Sequence, residues 1–203
     1  MRLSSILSPA WYSRDVVEVA RDMLGMRLVR LLDDRRISGI IVEAEAYRGE
    51  EDLACHAKAG RTPRTEVMYG PPGRAYVYFT YGMHWMLNAV CGEPGYPAAV
   101  LIRAVLPLEG IETIAAARSG VPPARWADGP AKLTRALHID KTLNGADLTS
   151  EAYHLWIEED LPIADKWVVT GPRVGIAGVP EPWKSLPWRF KAQLPKDFDL
   201  DLR

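Results

Sequence analysis

Apolar and polar residues alternate along the segment IIVEAEAY (residues 40–47), the pattern of a half-buried β-strand. Residues two apart in a strand point to one face, so Glu43, Glu45 and Tyr47 project together while small apolar side chains line the other face. The preceding segment RLVRLL predicts another strand, joined to this one by a charged turn at residues 33–36. Upstream, SRDVVEVARDML predicts a helix over about residues 13–24, with Ser13 as its N-cap.

The segment AYVYFTYGMHWMLNAVC (residues 75–91) has aromatic and β-branched runs on either side of Gly82, which predicts a β-hairpin. A later apolar run, AAVLIRAVLPLEG, predicts an internal strand that ends near Arg103. The remaining expectations are a loop over residues 61–75, helices within 110–120 and 128–139 (the second capped by Asp128), and a final strand, glycine-rich turn and Pro/Trp-rich tail over 167–190. The pattern predicts an α+β fold around a mainly antiparallel sheet.

A chain of 203 residues, 48% of them hydrophobic, is long enough to bury a core of its own, so we expect one domain over residues 1–203. The sequence has no apolar run of bilayer length and no secretory signal pattern, which favours an intracellular protein with no membrane partner. The two cysteines do not have the spacing of a disulfide framework or a metal knuckle, and we assign them no role.

The net charge of −1 argues against a generally basic nucleic-acid binder, but the charge is unevenly distributed. Residues 56–84 carry four Lys or Arg against one Glu, whereas residues 145–165 carry six acidic residues and no Lys or Arg. Both segments could be solvated surface; alternatively, the first is a basic working face and the second an acidic far side.

Glu43 and Glu45 are the first candidates for chemistry. Because an ionised carboxylate is costly to bury unless it is paired or used, we do not expect both in the core. One or both could reach solvent or pair with an arginine; alternatively, one is a general base that activates water for hydrolysis of a glycosidic bond. The residues alone do not distinguish these readings.

Three tyrosines suggest a second kind of chemistry. Tyr81 lies beside Gly82 at the expected hairpin tip, where it could pack back on its own hairpin or enter a base stack as a wedge. Tyr47 and Tyr78 could be ordinary core residues, or two faces that sandwich a planar base. The four histidines lack metal-ligand spacing, and we find neither a phosphate-binding loop nor a nucleophile elbow, so we expect no metal and no cofactor.

Several motifs over about residues 14–190 occur together in the order seen in the alkyladenine, or 3-methyladenine, DNA glycosylases. The chain resembles this family in seven places: VEAEAY (42–47), CHAKAGRTPR (55–64), YVYFTYGM (76–83), Asn88, LIRAVLPLEG (101–110), GPAKL (129–133) and RVGI (173–176). The resemblance implies one mixed α/β domain with a curved antiparallel sheet, flanking helices and a β-hairpin that enters the DNA minor groove.

The resemblance also implies residue roles. Glu45 resembles the general base, Glu43 a supporting residue, and Arg103 and the main-chain carbonyl of Val174 resemble groups that help hold the attacking water. The implied base pocket comprises Tyr47, His56, Tyr78 and Asn88; the implied intercalating residues are Tyr81 and Met83. The local basic residues are expected to contact the DNA backbone: Lys58, Arg61, Arg64, Arg74 and Lys132.

The function implied is excision of alkylated or deaminated purines from double-stranded DNA, namely 3-methyladenine, 7-methylguanine, hypoxanthine and ethenoadenine, leaving an abasic site. The resemblance favours a monomer, and we expect a bacterial cytoplasmic protein that associates with the nucleoid when bound to DNA. Two alternatives remain open: a catalytically silent nucleic-acid-binding domain of the same fold, and a glycosidase acting on free nucleosides or sugars.

Overall fold

The computed structural model describes residues 5–195. Within them the regular elements are short helices and a set of strands, in the following order: α1 (Pro9–Tyr12), α2 (Val16–Asp22), β1 (Arg27–Leu32), β2 (Arg35–Arg48), β3 (Ala75–Thr80), β4 (His84–Cys91), β5 (Ala98–Glu109), α3 (Ile111–Ala117), α4 (Pro130–Ala136), β6 (Leu155–Glu158), β7 (Val168–Gly171) and β8 (Arg189–Ala192). Single 3₁₀ turns over His56–Ala59 and Glu66–Tyr69 interrupt the loop that precedes β3.

The strands form one open sheet in the order β3-β4-β5-β2-β1-β6, and every strand pairing within residues 5–195 is antiparallel. Strand β2 is central. It pairs with β5 along one side, while β1 pairs with its first half and β8 with residues 43–45 of its second half. The predicted α+β class with a mainly antiparallel sheet is confirmed.

The helix ends differ from those predicted. Helix α2 is shorter than residues 13–24, and its N-cap is Asp15, whose carboxylate accepts a hydrogen bond from the backbone N–H of Val17 at 2.8 Å. Ser13 instead caps the end of the unpredicted helix α1. Helix α4 follows Gly129, and Asp128 does not cap it but pairs with Lys132. At α2 both Ser13 and Asp15 have side chains that can cap a helix, and the path of the chain selects Asp15.

The hairpin lies where the aromatic pattern predicted it, with β3 and β4 paired from Ala75 and Ala89 to Thr80 and His84. Strand β5, in contrast, does not end near Arg103. It continues to Glu109, because the Arg103 side chain is neutralised by carboxylates on β2 and therefore does not disrupt the ladder. The short strand β6 was not predicted at all.

Most carboxylates of the acidic segment are structural, since four of the six pair with arginines. Glu158, on β6, is buried and meets Arg36 at 2.5 Å. The others pair as follows: Asp147 with Arg74, Asp160 with Arg27, and Asp165 with Arg21. The segment is therefore partly tied into the fold through ion pairs, while Glu151, Glu159 and Asp165 are exposed, as the solvated-surface alternative expects.

Candidate functional site

Glu45 lies in the middle of β2, paired with Leu101 of β5 and Arg189 of β8, and is fully buried. Both of its oxygens are hydrogen-bonded. Oε1 accepts from the backbone N–H of Val174 at 2.7 Å, and Oε2 accepts from the Tyr47 hydroxyl at 2.9 Å and from Arg103 Nη1 at 3.2 Å. Three different parts of the chain thus converge on one carboxylate.

Glu43 is also buried, so the expectation that both glutamates would not be core is wrong. Arg103 is the reason: its guanidinium donates to Glu43 at 2.8 Å as well as to Glu45. Arg189 adds a second cation, 3.0 Å from Glu43. Two cations therefore offset two buried carboxylates, the arrangement that makes burial of charge tolerable.

The environment of Glu45 pulls its pKa in opposite directions. Burial raises the pKa above the ordinary value of 4.5, while the charge of Arg103 and the hydrogen bonds from Val174 and Tyr47 oppose that shift. The net effect is that the pKa of Glu45 is raised. Such a carboxylate retains a greater affinity for a proton than an exposed one, which suits a general base.

A cavity of about 320 Å³ opens beside this carboxylate. Its lining includes all four implied pocket residues together with Tyr81, Arg103 and Val174. Glu45 itself does not reach the cavity surface; it lies behind the wall that its three hydrogen-bond donors form. The volume falls at the lower end of the range of small-ligand sites, where a purine base fits.

His56, Tyr76 and Tyr78 form an aromatic wall of the cavity, and their rings contact one another. The rings of His56 and Tyr78 meet edge-to-face at 4.5 Å between centroids, and Tyr76 stands beside them, with its hydroxyl 3.0 Å from His56 Nδ1. Burial lowers the pKa of His56 to about 4, helped by the charges of Arg64 and Lys58, so its imidazole is neutral near pH 7. Asn88 is buried and donates its side-chain N–H to the Tyr76 carbonyl at 3.0 Å.

A small apolar cluster supports the wall from behind. Tyr47, Val67 and Tyr78 pack against it, and its buried members are Cys55, Ala57, Met68, Tyr69, Tyr76, Val90 and Ala99. Burial raises the pKa of Cys55 to about 12. Cys55 is thus a buried, protonated thiol within this cluster near pH 7.

The hairpin tip carries two exposed side chains, Tyr81 and Met83, of which Tyr81 also lines the cavity. Tyr81 is 81% exposed and Met83 is 67% exposed. Tyr81 and Gly82 both have positive φ, 51° and 66°, which tightens the turn and projects the tyrosine from its end. Behind the tip, the rings of Phe79 and Trp85 pair across the strands at 4.7 Å and stiffen the hairpin.

Sequence reasoning missed the residue that holds the Val174 segment. Arg173 is buried and forms a two-pronged ion pair with buried Asp52. Its guanidinium also donates to the Ala46 carbonyl and lies 4.7 Å from the centre of the Tyr47 ring. This pair joins the end of β2, the turn that leads to His56 and the loop that carries Val174. Its only signal was the charged residue beside Val174 in the RVGI motif.

The five basic residues expected on the DNA backbone occupy different settings. Three pair with carboxylates: Arg61 with Glu66, Arg74 with Asp147, and Lys132 with Asp128. The Lys58 ammonium donates to the Leu53 carbonyl at 2.8 Å. Arg64 lies over the Tyr78 ring, 5.2 Å from its centre, and so belongs to the surroundings of the cavity.

Among residues 5–195, no three His, Cys, Asp or Glu side chains come together as a metal site would require. In the same part of the chain, no helix combines the length and apolarity needed to cross a bilayer.

Comparison with known proteins places this arrangement in a family. The family model "Methylpurine-DNA glycosylase" matches residues 10–195, a range that includes every site residue described above. The chain belongs to the methylpurine-DNA glycosylase family.

Curated relatives within the methylpurine-DNA glycosylase family match over nearly the whole chain. A protein of Carboxydothermus hydrogenoformans, named "Putative 3-methyladenine DNA glycosylase", is 48% identical over 91% of this chain and 94% of its own length. Proteins with the same name from Methanocella arvoryzae and Bacillus cereus (strain ATCC 10987 / NRS 248) are 47% and 43% identical and cover 91% and 90% of this chain. The family membership therefore extends across the sheet, the cavity and the hairpin.

Proposed function

We propose that this protein is a monofunctional DNA glycosylase that removes alkylated or deaminated purines from double-stranded DNA and starts base excision repair. The observation that carries the proposal is the position of Glu45, which lies behind the wall of a purine-sized cavity with Tyr47, Arg103 and Val174 on its oxygens. Family membership supports DNA as the partner.

Binding begins with extrusion of the damaged base. Tyr81 at the hairpin tip enters the stack and takes the space that the base leaves, while Met83 packs beside it. The base then occupies the cavity between Tyr47 on one side and His56 and Tyr78 on the other. Aromatic stacking of about 1–3 kcal/mol per base offsets part of the cost of unstacking. Damaged bases unstack more readily, which favours their selection.

Hydrolysis then requires one activated water. Glu45 accepts a proton from the water as its oxygen bonds to the sugar carbon C1′, and the C1′–N bond breaks with its electron pair going to the base. Arg103 and the main chain at Val174 hold the carboxylate, and the Val174 carbonyl helps to place the water. The products are a free base and an abasic site with both strands intact. Asn88, at the cavity wall, excludes normal guanine through its exocyclic amine.

We propose further that residues 1–203 act as a single domain and as a monomer in the bacterial cytoplasm, associated with the nucleoid when bound to DNA. The mechanism derived for these residues uses no cofactor or metal. Contacts to the DNA backbone come from Lys58, Arg61, Arg74 and Lys132, whereas Arg64 lies over the Tyr78 ring of the cavity wall.

The test is base release from duplex oligonucleotides that each carry one hypoxanthine, ethenoadenine, 7-methylguanine or 3-methyladenine. The protein is incubated without metal, the DNA is treated with alkali, and Glu45→Gln is run in parallel. We expect strand cleavage only after alkali and only with the parent protein, while Glu45→Gln still binds the lesion. Tight binding with no release by the parent on any lesion would refute the enzyme proposal and favour a silent binding domain. Release from free nucleosides that survives Tyr81→Ala would favour a nucleoside hydrolase.

A further inference from the structure

The positive charge around the cavity is unevenly compensated. Arg103 is held by Glu43 and Glu45, and Arg173 by Asp52. Arg64 differs from both: within residues 5–195 no carboxylate lies within ion-pair distance of its guanidinium, although the guanidinium lies 5.2 Å from the centre of the Tyr78 ring. No anion in the described part of the chain cancels its charge; Lys58 likewise has no carboxylate partner there, but its ammonium donates to the Leu53 carbonyl, whereas Arg64 lies over a ring of the cavity wall.

Arg64 acts on the cavity from outside the wall, because it does not belong to the residues that line the cavity. A base stacked on the inner face of Tyr78 would lie about one ring thickness beyond that ring, still within the range at which a charge at a protein surface is felt. The charge already affects the wall, since it lowers the pKa of His56 and opposes the rise that burial causes at Tyr78.

The same arginine also acts on Tyr76, whose hydroxyl oxygen lies 3.0 Å from Nδ1 of His56. Burial raises the pKa of Tyr76, and the charge of Arg64 opposes that rise. His56 adds no second positive charge to the wall near pH 7, because burial and the neighbouring cations lower its pKa to about 4.

Damaged purines fall into two charge classes with opposite requirements. A purine alkylated at N7 or N3 carries a positive charge in the nucleotide and leaves as a neutral base. A neutral lesion such as hypoxanthine leaves with an additional electron pair and develops negative charge in the transition state. A nearby cation stabilises the second departure and disfavours binding of the first kind of base.

We propose that Arg64 is a specificity-determining residue that biases the cavity towards electrically neutral damaged purines. This inference rests on the proposed glycosylase function and adds the charge class of its preferred substrate. It assigns Arg64 to base selection, in place of the DNA-backbone role expected from the sequence.

The test compares Arg64→Gln with the parent in single-turnover base release at saturating enzyme, on duplexes that carry hypoxanthine or 7-methylguanine. Removal of the charge should slow hypoxanthine release by about two- to tenfold, the range for a unit charge partly screened by solvent. Release of 7-methylguanine should stay unchanged or become faster. Arg64→Lys, which keeps the charge, should restore most of the hypoxanthine rate.

Arg61→Gln is the matched control, because Arg61 is an exposed arginine on the same loop whose charge is already paired with Glu66. It should leave the ratio of the two rates unchanged. An equal loss on both lesions in Arg64→Gln would show a backbone contact and overturn the inference, as would an unchanged ratio. If the parent releases none of the four lesions named above, the proposed function itself fails. If it releases 7-methylguanine but no neutral lesion, the function stands and the inference is overturned; if it releases both kinds, the result with Arg64→Gln tests the inference alone.

Discussion

The backbone N–H of Val174 lies 2.7 Å from Oε1 of Glu45 and donates a hydrogen bond to it. Because the donor is a main-chain group, the contact depends on the path of the chain and not on the valine side chain. It holds the carboxylate in place from the side opposite Arg103 and favours its ionised form. The first two predictions follow from the balance between this stabilisation and burial.

The pH dependence of base release should report Glu45. Its pKa lies above 4.5, and a general base must be ionised, so the rate should fall as pH falls through a value above that of an exposed glutamate. Arg103→Gln removes the charge that lowers this pKa, so the falling limb should move to higher pH. Single-turnover rates between pH 4.5 and 8 give the position of this limb in the parent and in Arg103→Gln. Arg103→Lys is the control that keeps the charge. A limb that stays in place would contradict the assignment.

Glu45 should also make folding stability depend on pH. A carboxyl whose pKa is raised by folding stabilises the protein fully below its unfolded pKa, and that contribution is lost as pH rises through the folded pKa. Glu45→Gln cannot ionise, so relative to the parent it should gain about 1.4 kcal/mol for each unit of pKa elevation as pH increases. Urea unfolding at pH 4, below the unfolded pKa, and at pH 8 measures the difference. A relative loss of stability in the variant at the higher pH would show the opposite shift.

Tyr81→Ala should separate activity from folding. The side chain is 81% exposed, so its removal should change the free energy of unfolding by less than about 0.5 kcal/mol. Loss of the wedge should reduce base release from duplex DNA by about tenfold or more, because extrusion becomes harder. Tyr153→Ala is the control: Tyr153 is 49% exposed and lies outside the hairpin. Equal activity of the two variants would exclude the wedge.

Breaking the Arg173–Asp52 pair should be costly to the fold. Both side chains are fully buried, so Arg173→Met leaves an unpaired carboxylate and should lower the free energy of unfolding by about 3–5 kcal/mol. Arg61→Gln, at an exposed pair, should lower it by no more than about 1 kcal/mol. In urea unfolding, the double variant Arg173→Met/Asp52→Leu should recover part of the loss. Similar losses in the two arginine variants would mean that the buried pair contributes no more than a surface one.

Local pattern was sufficient for much of the sheet. The alternation around Glu45 and the aromatic runs around Gly82 placed β2 and the hairpin, because the period of two is a property of neighbouring residues. The same reasoning ended β5 at Arg103, since sequence does not show that Glu43 and Glu45 neutralise that side chain. It also missed β6, whose four residues are too few for a periodic signal and lie beside a run of acids.

The sequence likewise predicted some parts of the candidate site and missed others. Resemblance to family motifs named seven of the residues that line the cavity. The Arg173–Asp52 pair joins positions 121 residues apart and exists only once the chain has folded, so no local motif reveals it. Sequence reasoning grouped Arg64 with the other basic residues, because the sequence gives the charge of a side chain but not where that side chain points in the fold. The structure places it against Tyr78, whereas Arg61, three residues earlier, pairs with Glu66.

Glu45 has a hydrogen-bonded strand on each side, β5 and β8, and the Val174 loop is tied down by a buried ion pair. The carboxylate proposed as the general base is thus fixed in position before DNA arrives, and in the proposed reaction the water must reach it through the wall that its hydrogen-bond donors form. In the proposed reaction the deformation falls on the nucleic acid. Selectivity would then depend on how easily each base pair opens, because the DNA deforms while the protein keeps its conformation.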